Sequence, residues 1–595
     1  MSAPAPRPGL AASARFLWPF MAPHRSWLWA VALATPLGVA TDALKPLLIQ
    51  RAIDGPISAR DPEGVWTYAA LLAAVVLLNF LFSSLGVYAL QISSLRSLAG
   101  LRRGVFSHIL AQGQRFFDTR TTGALMTRTT TDVEAISESL SQGLVRLVGD
   151  ALLIVSTLGV MLWMDAALTL VAFSVSPLLV WVVNLCRRQL RELYGAIRDV
   201  QSELNGRFAE YIKGAAEVRR YGAEGQAEGR FDERSREFMR LYHRANWWDA
   251  GLYAIMDGLS SLSVGLALAY TAHRAGVSVG VGAGVGVESA VSVGVLVAFI
   301  DALGRVYVPI REFSGRLASL QRAAAASERL IELLATREEV PGGERRLAGE
   351  GAPTVRFEGV SFRYAPDAPY ALRGVSFEVR PGEVVALVGA TGSGKSTAAR
   401  LLLRAYGGYE GQITLSGVPL RDLDPREARR LMVAVHQDPQ LFKATVAENI
   451  HLWDPALAAD PARLREAARR ARASGFIEAL AAGYEAECAS GGANLSVGQR
   501  QLITIARAFA RPAPIVILDE ATASVDALTE GWIDEATAEL FAERTVIVIA
   551  HRLSTIAKAD RVVMLARGEV VAQGRHEDLL RESEEYARLV RQGEG

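Results

Sequence analysis

Six stretches of this chain are apolar on every side, each over about the length a helix needs to cross a lipid bilayer. A hydrocarbon core about 30 Å thick takes about 20 residues of α-helix. The stretches are 27–48, 68–90, 144–163, 166–185, 252–272 and 291–308. Buried helices of a water-soluble protein would carry polar residues at helical spacing. These do not, so six membrane spans are expected.

Flanking charge gives their direction. Arg15 and Arg25 precede the first span, and Arg96, Arg102 and Arg103 follow the second. Arg187, Arg188 and Arg191 follow the fourth, and Arg311 and Arg316 follow the sixth. An excess of arginine and lysine marks the cytoplasmic side, so both chain ends are expected in the cytoplasm. The turns at 54–66, 164–165 and 275–286 then face outward; the last is Gly/Val-rich and reads as a flexible linker. The first ten residues lack the apolar core and cleavage site of a signal peptide, so the first helix is expected to be retained.

Two inter-span segments, 92–143 and 186–251, are long, polar and helical in pattern. They read as helices running from the membrane into the cytoplasm and back, with breaks near 115–123 and 213–221 that suit short cross-helices. Separate soluble inserts are the alternative, but neither segment carries a core of its own. With 595 residues the chain is too long for one core. A net charge of +1 gives no electrostatic reason to expect nucleic acid as a partner. Cys186 and Cys488 stand far apart and build neither a disulfide framework nor a metal cluster.

After a polar linker over 336–353, short β-rich runs alternate with helices through 354–595. Val384-Val-Ala-Leu-Val388 is a buried strand, Gly389-Ala-Thr-Gly-Ser-Gly-Lys-Ser396 follows, and Thr397 continues into a helix. This is the phosphate-binding loop in its required strand–loop–helix setting. Backbone N–H groups from Gly389 through Thr391, Gly392, Ser393 and Gly394 would wrap the phosphates of ATP at the positive end of the helix that Thr397 helps open. Lys395 would neutralise the β- and γ-phosphates, and Ser396 would ligate Mg²⁺. A second apolar strand, Ile515-Val-Ile-Leu518, ends in Asp519-Glu520. Asp519 suits Mg²⁺, and Glu520 suits polarisation of the attacking water.

Between these motifs lies Leu495-Ser-Val-Gly-Gln499. With it the sequence resembles the ABC transporters, whose signature loop caps the ATP held by the opposite subunit. The resemblance implies that Ser496, Gly498 and Gln499 contact that nucleotide and that Tyr364 stacks on adenine. It implies that Gln437 senses Mg²⁺ and the membrane domain, that Ser524-Val-Asp526 is the D-loop, with Asp526 at the nucleotide, and that His551 contacts the γ-phosphate. The stretch 115–126 resembles the first coupling region of the exporter subfamily, and 293–299 with Pro309-Ile resembles its sixth span. The expected architecture is an all-α six-helix membrane domain over 1–335, with long cytoplasmic extensions, followed by an α/β P-loop ATPase domain over 354–595. The membrane-first order is exporter order. A soluble ABC ATPase is excluded by the apolar runs; an ABC-type channel or regulator and an exporter-fold importer differ from an exporter in transport assays alone.

One such chain is half a transporter, because each ATP needs a phosphate loop from one subunit and a signature from the other. The signature here has Val497 where the family usually has glycine, while Glu520 is intact. That combination resembles the catalytically intact half of heterodimeric multidrug-type exporters, so a different half-transporter is the expected partner, with a homodimer as the alternative. The expected cargo is an amphipathic drug-like or lipid-like molecule moved across the inner membrane. Ionisable residues in membrane spans face cavities or partners. Asp301 and Arg305, one turn apart, suit each other, as do Arg146 and Asp150, leaving Asp257 as the expected site for cationic cargo.

Overall fold

The computed structural model describes residues 10–139, 145–274, 291–340, 342–347, 351–519, 526–550 and 552–593. The 275–286 linker, Glu520 and His551 lie outside the described residues. The chain divides into two compact units: Met1–His108 with Gly123–Thr336, and Ile109–Thr122 with Arg337–Gly595.

The first unit is helical. Six helices are long and apolar enough to cross a membrane: Arg15–Ile57, Pro62–Ala111, Val145–Met164, Ala166–Lys213, Glu224–Arg274 and Val293–Ala335. Several run far past their apolar stretches, so the polar segments are continuations of the spans and not separate inserts. Once a helix leaves the bilayer, a single apolar face suffices to bury it against a neighbour. The helices Ser176–Lys213 and Glu224–Arg274 pair this way along Leu190, Leu193, Ile197 and Ala245. The fourth span breaks after Phe173 and resumes at Ser176, ahead of Pro177, whose ring lacks the N–H a continuous helix would need. The short helix Ala215–Arg220 occupies the break in the second polar segment, and the break in the first holds Gln114–Asp118, which belongs to the second unit. Leu168, Phe299 and Leu303 form the centre of one core, whereas Leu77, Phe80, Leu170 and Trp181 are exposed in the single chain, as lipid-facing residues must be.

Several charges inside this unit are paired. Asp301 accepts from Arg305 at 2.8 Å, and Arg305 also reaches Asp42 at 2.7 Å, which in turn holds Lys45. Asp150 lies in ion-pair contact with Arg316 of the last helix. Outside the spans, Asp132 is buried and accepts from Arg128 at 2.7 Å and from Arg329. Burial pushes its carboxyl up, but the two guanidinium groups outweigh this and hold it below the usual carboxylate range.

The second unit is α/β. Its strands are β1 (Val355–Phe362), β2 (Leu372–Val379), β3 (Val384–Val388), β4 (Glu410–Leu415), β5 (Val418–Pro419), β6 (Met432–Val435), β7 (Ile515–Asp519), β8 (Thr545–Ile549), β9 (Arg561–Ala566) and β10 (Glu569–Gly574). One antiparallel sheet has the order β2-β1-β4-β5, the other the order β10-β9-β3-β8-β7-β6. In the second, β9 through β6 are parallel, and β3 and β8 are buried at every residue. Covered on both faces, such strands read as unbroken runs of Val, Ile and Leu, as these do. The register pairs Leu387 with Ile549, Ile549 with Asp519, and Leu518 with Val435. The carboxyl ends of β3, β8, β7 and β6 therefore share one edge, where parallel sheets place their ligand crevice.

Candidate active site

The loop that leaves β3 is shaped by backbone positions only glycine fills. Gly389 has φ +143°, and a Cβ there would fall 2.1 Å from the Leu565 carbonyl oxygen. Gly394 has φ +109°, and its Cβ would meet Leu372 Cδ2 at 2.7 Å and the Ala371 oxygen at 2.8 Å. Side chains at either position would force the loop off the sheet edge.

The helix Lys395–Leu402 starts directly from Gly394 with no side chain capping its first amides. Those amides point outward at the positive end of the helix dipole. Lys395 is buried, and its ammonium donates to the Gly389 oxygen at 2.6 Å and the Ala390 oxygen at 3.0 Å. Burial pushes this amine down, and the Asp519 carboxylate partly opposes the shift. Ser393 Oγ is buried with no hydrogen-bond partner among the described residues. Uncapped amides, a buried ammonium bonded to two carbonyls and, among the described residues, an unsatisfied hydroxyl form one donor-rich cradle, which fits a chain of phosphates. Thr391 and Gly392 lie exposed on its rim, Ser396 is half-buried behind Lys395, and Thr397 is buried.

Tyr364 follows β1, partly exposed, with its hydroxyl 2.9 Å from Thr397 Oγ1. Gln437 is exposed two residues past β6, beside the end of β7 that carries Asp519. The parallel sheet thus gathers the loop, Gln437 and Asp519 at one edge, and Tyr364, which follows β1 of the antiparallel sheet, reaches the loop's helix at Thr397. The signature residues serve elsewhere. Ser496 caps the helix Val497–Ala510, its Oγ accepting from Gln499 N at 3.2 Å, while Gln499 Oε1 accepts from Ser496 N at 2.9 Å. Gly498 is buried in that first turn. Val497 takes ordinary helical backbone there, so a glycine is not needed for φ and valine changes only the volume presented. Asp526 caps a further helix, Ala527–Glu543, by accepting from Thr529 N at 2.9 Å.

Motif reading missed Tyr406, whose ring meets that of Tyr364, and its partner Asp118. The hydroxyl of Tyr406 donates to Asp118 Oδ2, across 288 positions of sequence. No local pattern signals a pair so far apart.

Residues 28–287 match the family model for the ABC transporter transmembrane region, and residues 372–523 match that for the ABC transporter. An ATP-dependent lipid A-core flippase of Thiobacillus denitrificans is 33% identical, the match covering 96% of each chain. One of Alkalilimnicola ehrlichii is 34% identical, covering 93% of this chain and 92% of the relative. A solved bacterial Atm1-family ABC exporter with ATP bound superposes with a TM-score of 0.74 at 26% identity, covering 96% of this chain and 98% of that one. Six spanning helices joined to a phosphate-cradling α/β unit, in a chain matched over nearly its full length, make it a member of the ABC transporters: an export half-transporter whose ATPase domain binds ATP with Mg²⁺ and couples its hydrolysis to transport.

Proposed function

We propose that the cargo is an amphipathic, lipid-like molecule with an anionic headgroup. Arg187 carries this reading. It stands where two cavities of the first unit meet, and its Nε is buried with no hydrogen-bond partner among the described residues. One cavity, of about 770 Å³, is lined by Arg146, Arg187, Arg191, Arg316 and Arg322 against Glu138, Asp249 and Glu312. The other, of about 260 Å³, is mostly apolar, with Leu179, Ile154 and Phe313 on its wall. A charged chamber beside an apolar one suits a headgroup and its chain. Asp257, by contrast, is exposed and lines neither cavity, so the surroundings favour an anion over the cation expected from sequence. The relatives' names, lipid A-core flippases, belong to the same broad class of cargo.

The test is ATPase stimulation in lipid nanodiscs by a dialkyl phosphate and by a quaternary ammonium of equal chain length. The phosphate is expected to stimulate and the ammonium not. Arg187→Ala is expected to raise the half-stimulating phosphate concentration about tenfold, the worth of one charge-assisted hydrogen bond, with Arg187→Lys between. Stronger stimulation by the ammonium, or an unchanged Arg187→Ala, refutes the reading.

In the site, we assign Mg²⁺ to Ser396 and Asp519, with Gln437 nearby, and adenine to Tyr364. When bound, Mg²⁺ offsets the charge on the β- and γ-phosphates. Glu520 takes the proton of the water that attacks the γ-phosphorus as the bond to ADP breaks, and His551 holds the γ-phosphate. Ser496, Gly498, Gln499 and Asp526 serve the partner's nucleotide. The arginine-rich ends of the spans support an inner-membrane topology with both termini and the ATPase domain in the cytoplasm. The membrane domain is then 1–335, the ATPase domain 354–595, and the short helices Gln114–Asp118 and Ala215–Arg220 are the coupling segments.

Val497 favours a partner of different sequence. Its branched side chain opens the signature helix, where glycine is usual, so the partner's ATP meets added bulk while this chain's own site keeps Glu520. The flippase names do not extend to this point. Expressed alone, the chain is expected to show little stimulated ATPase activity; a stable homodimer with full stimulated hydrolysis and transport would refute the heterodimer.

A further inference from the structure

The segment Ile109–Thr122 belongs to the second unit, and its anchorage is dense. Gly113 N donates to the Glu338 oxygen at 3.0 Å, Glu338 N donates to Gln112 Oε1 at 2.8 Å, and Gln114 N donates to the Ala405 oxygen at 3.2 Å. Phe116 is fully buried. The approach at Gly113 is so close that a Cβ would fall 2.6 Å from the Glu338 oxygen. The short helix Gln114–Asp118 is therefore fixed beside Ala405, and the next residue, Tyr406, donates its hydroxyl to Asp118 Oδ2 at 2.5 Å.

Tyr406 is 5% exposed, and its ring meets that of Tyr364 edge-on, centroids 5.2 Å apart at 85°. Tyr364 is pinned from other sides by Phe362, at 5.1 Å, and by Thr397 Oγ1, at 2.9 Å. It is 36% exposed, so part of its surface stays open to a ligand. Burial and then the Asp118 carboxylate push the Tyr406 hydroxyl far above its ordinary value, so it stays a protonated donor at any physiological pH. The four side chains Thr397, Tyr364, Tyr406 and Asp118 form one continuous contact line from the phosphate-binding helix to the short helix Gln114–Asp118.

We propose that Tyr406 is a positioning residue that registers a nucleobase bound on Tyr364 at the short helix Gln114–Asp118, its ring bearing on Tyr364 and its hydroxyl on Asp118. The inference rests on the assignment of Tyr364 to adenine. It gives the base, and not only the phosphates, a part in coupling. A ligand with phosphates alone fills the cradle but leaves Tyr364 free, and Asp118 unaffected.

Amide hydrogen exchange of the 112–120 peptide in the full-length transporter, with its partner and under non-turnover conditions, tests this. ATP is expected to slow exchange there, and inorganic tripolyphosphate, which lacks a base, is expected not to. In Tyr406→Phe the ring remains and only the hydroxyl is lost. ATP is expected to bind within about twofold of wild type, while the ATP-induced protection falls at least about threefold. Asp118→Asn is expected to match it, and the double variant to add nothing further. Undiminished ATP-induced protection in both variants, equal protection by tripolyphosphate, or a loss of ATP affinity in Tyr406→Phe that tracks the loss of protection would each overturn the proposal. Tyr364→Ala separates the premise: unchanged ATP affinity there refutes the stacking assignment, whereas the Tyr406→Phe result bears on the relay.

Discussion

Lys395→Ala is expected to lower steady-state ATP hydrolysis by about 100-fold or more, with ATP binding weakened as well. The ammonium spans the loop, gripping the Gly389 and Ala390 oxygens from a site 5% exposed. It thus holds the cradle in shape before the phosphates enter and then faces their charge where water is largely excluded. Alanine removes both services. Glu520→Gln gives the contrasting outcome: binding retained, turnover down by about 100-fold or more, because only the proton acceptor is lost. Hydrolysis assays beside fluorescent-nucleotide binding, with the partner present, separate the two. Near-normal turnover in either variant would refute its assignment.

Arg507→Ala is expected to destabilise the ATPase domain by about 2–4 kcal/mol, since it strips several carbonyls of a charged donor at once. The guanidinium donates to the Asn449 oxygen at 2.5 Å, the Gln440 oxygen at 3.0 Å and Asn449 Oδ1 at 3.2 Å. Burial pushes it down to about 10, which still leaves it charged at neutral pH. It ties the signature helix Val497–Ala510 to the chain just beyond Gln437, so loosening it disturbs both elements together. Thermal unfolding of the purified transporter checks this. Arg507→Lys is expected to recover part of the loss, and an unchanged Arg507→Ala transition would show the bonds to be dispensable.

The spans were legible because lipid leaves no polar face on a helix, and the parallel strands because they are covered on both sides. Helix ends were not, since beyond the bilayer a helix such as Glu224–Arg274 continues with one apolar face and the composition shift no longer marks where it stops. The break ahead of Pro177 was overlooked inside an apolar run. Partnerships across the fold escaped entirely. Asp150 has a cation one turn away in sequence, and packing brings a second, Arg316, that no local spacing signals. The phosphate loop was readable from its glycines, because positive φ and close approach demand that residue at Gly389 and Gly394. Tyr406 and Asp118 carry no such mark, as their contact exists only once the chain has folded.

On the proposed role of the signature loop, the reciprocal cap at Ser496 and Gln499 bears on how readily the two subunits close and part. The hydroxyl oxygen is already occupied by Gln499 N, so the loop is ordered before any second subunit arrives. Little conformational entropy then remains to be lost on closure. The O–H proton stays free for an incoming oxygen, since accepting at the oxygen does not use it. On that role, closure would gain a contact without breaking the cap, and opening would give it up without melting the loop. A loop ordered in advance in this way suits an interface that forms and dissolves with every turnover.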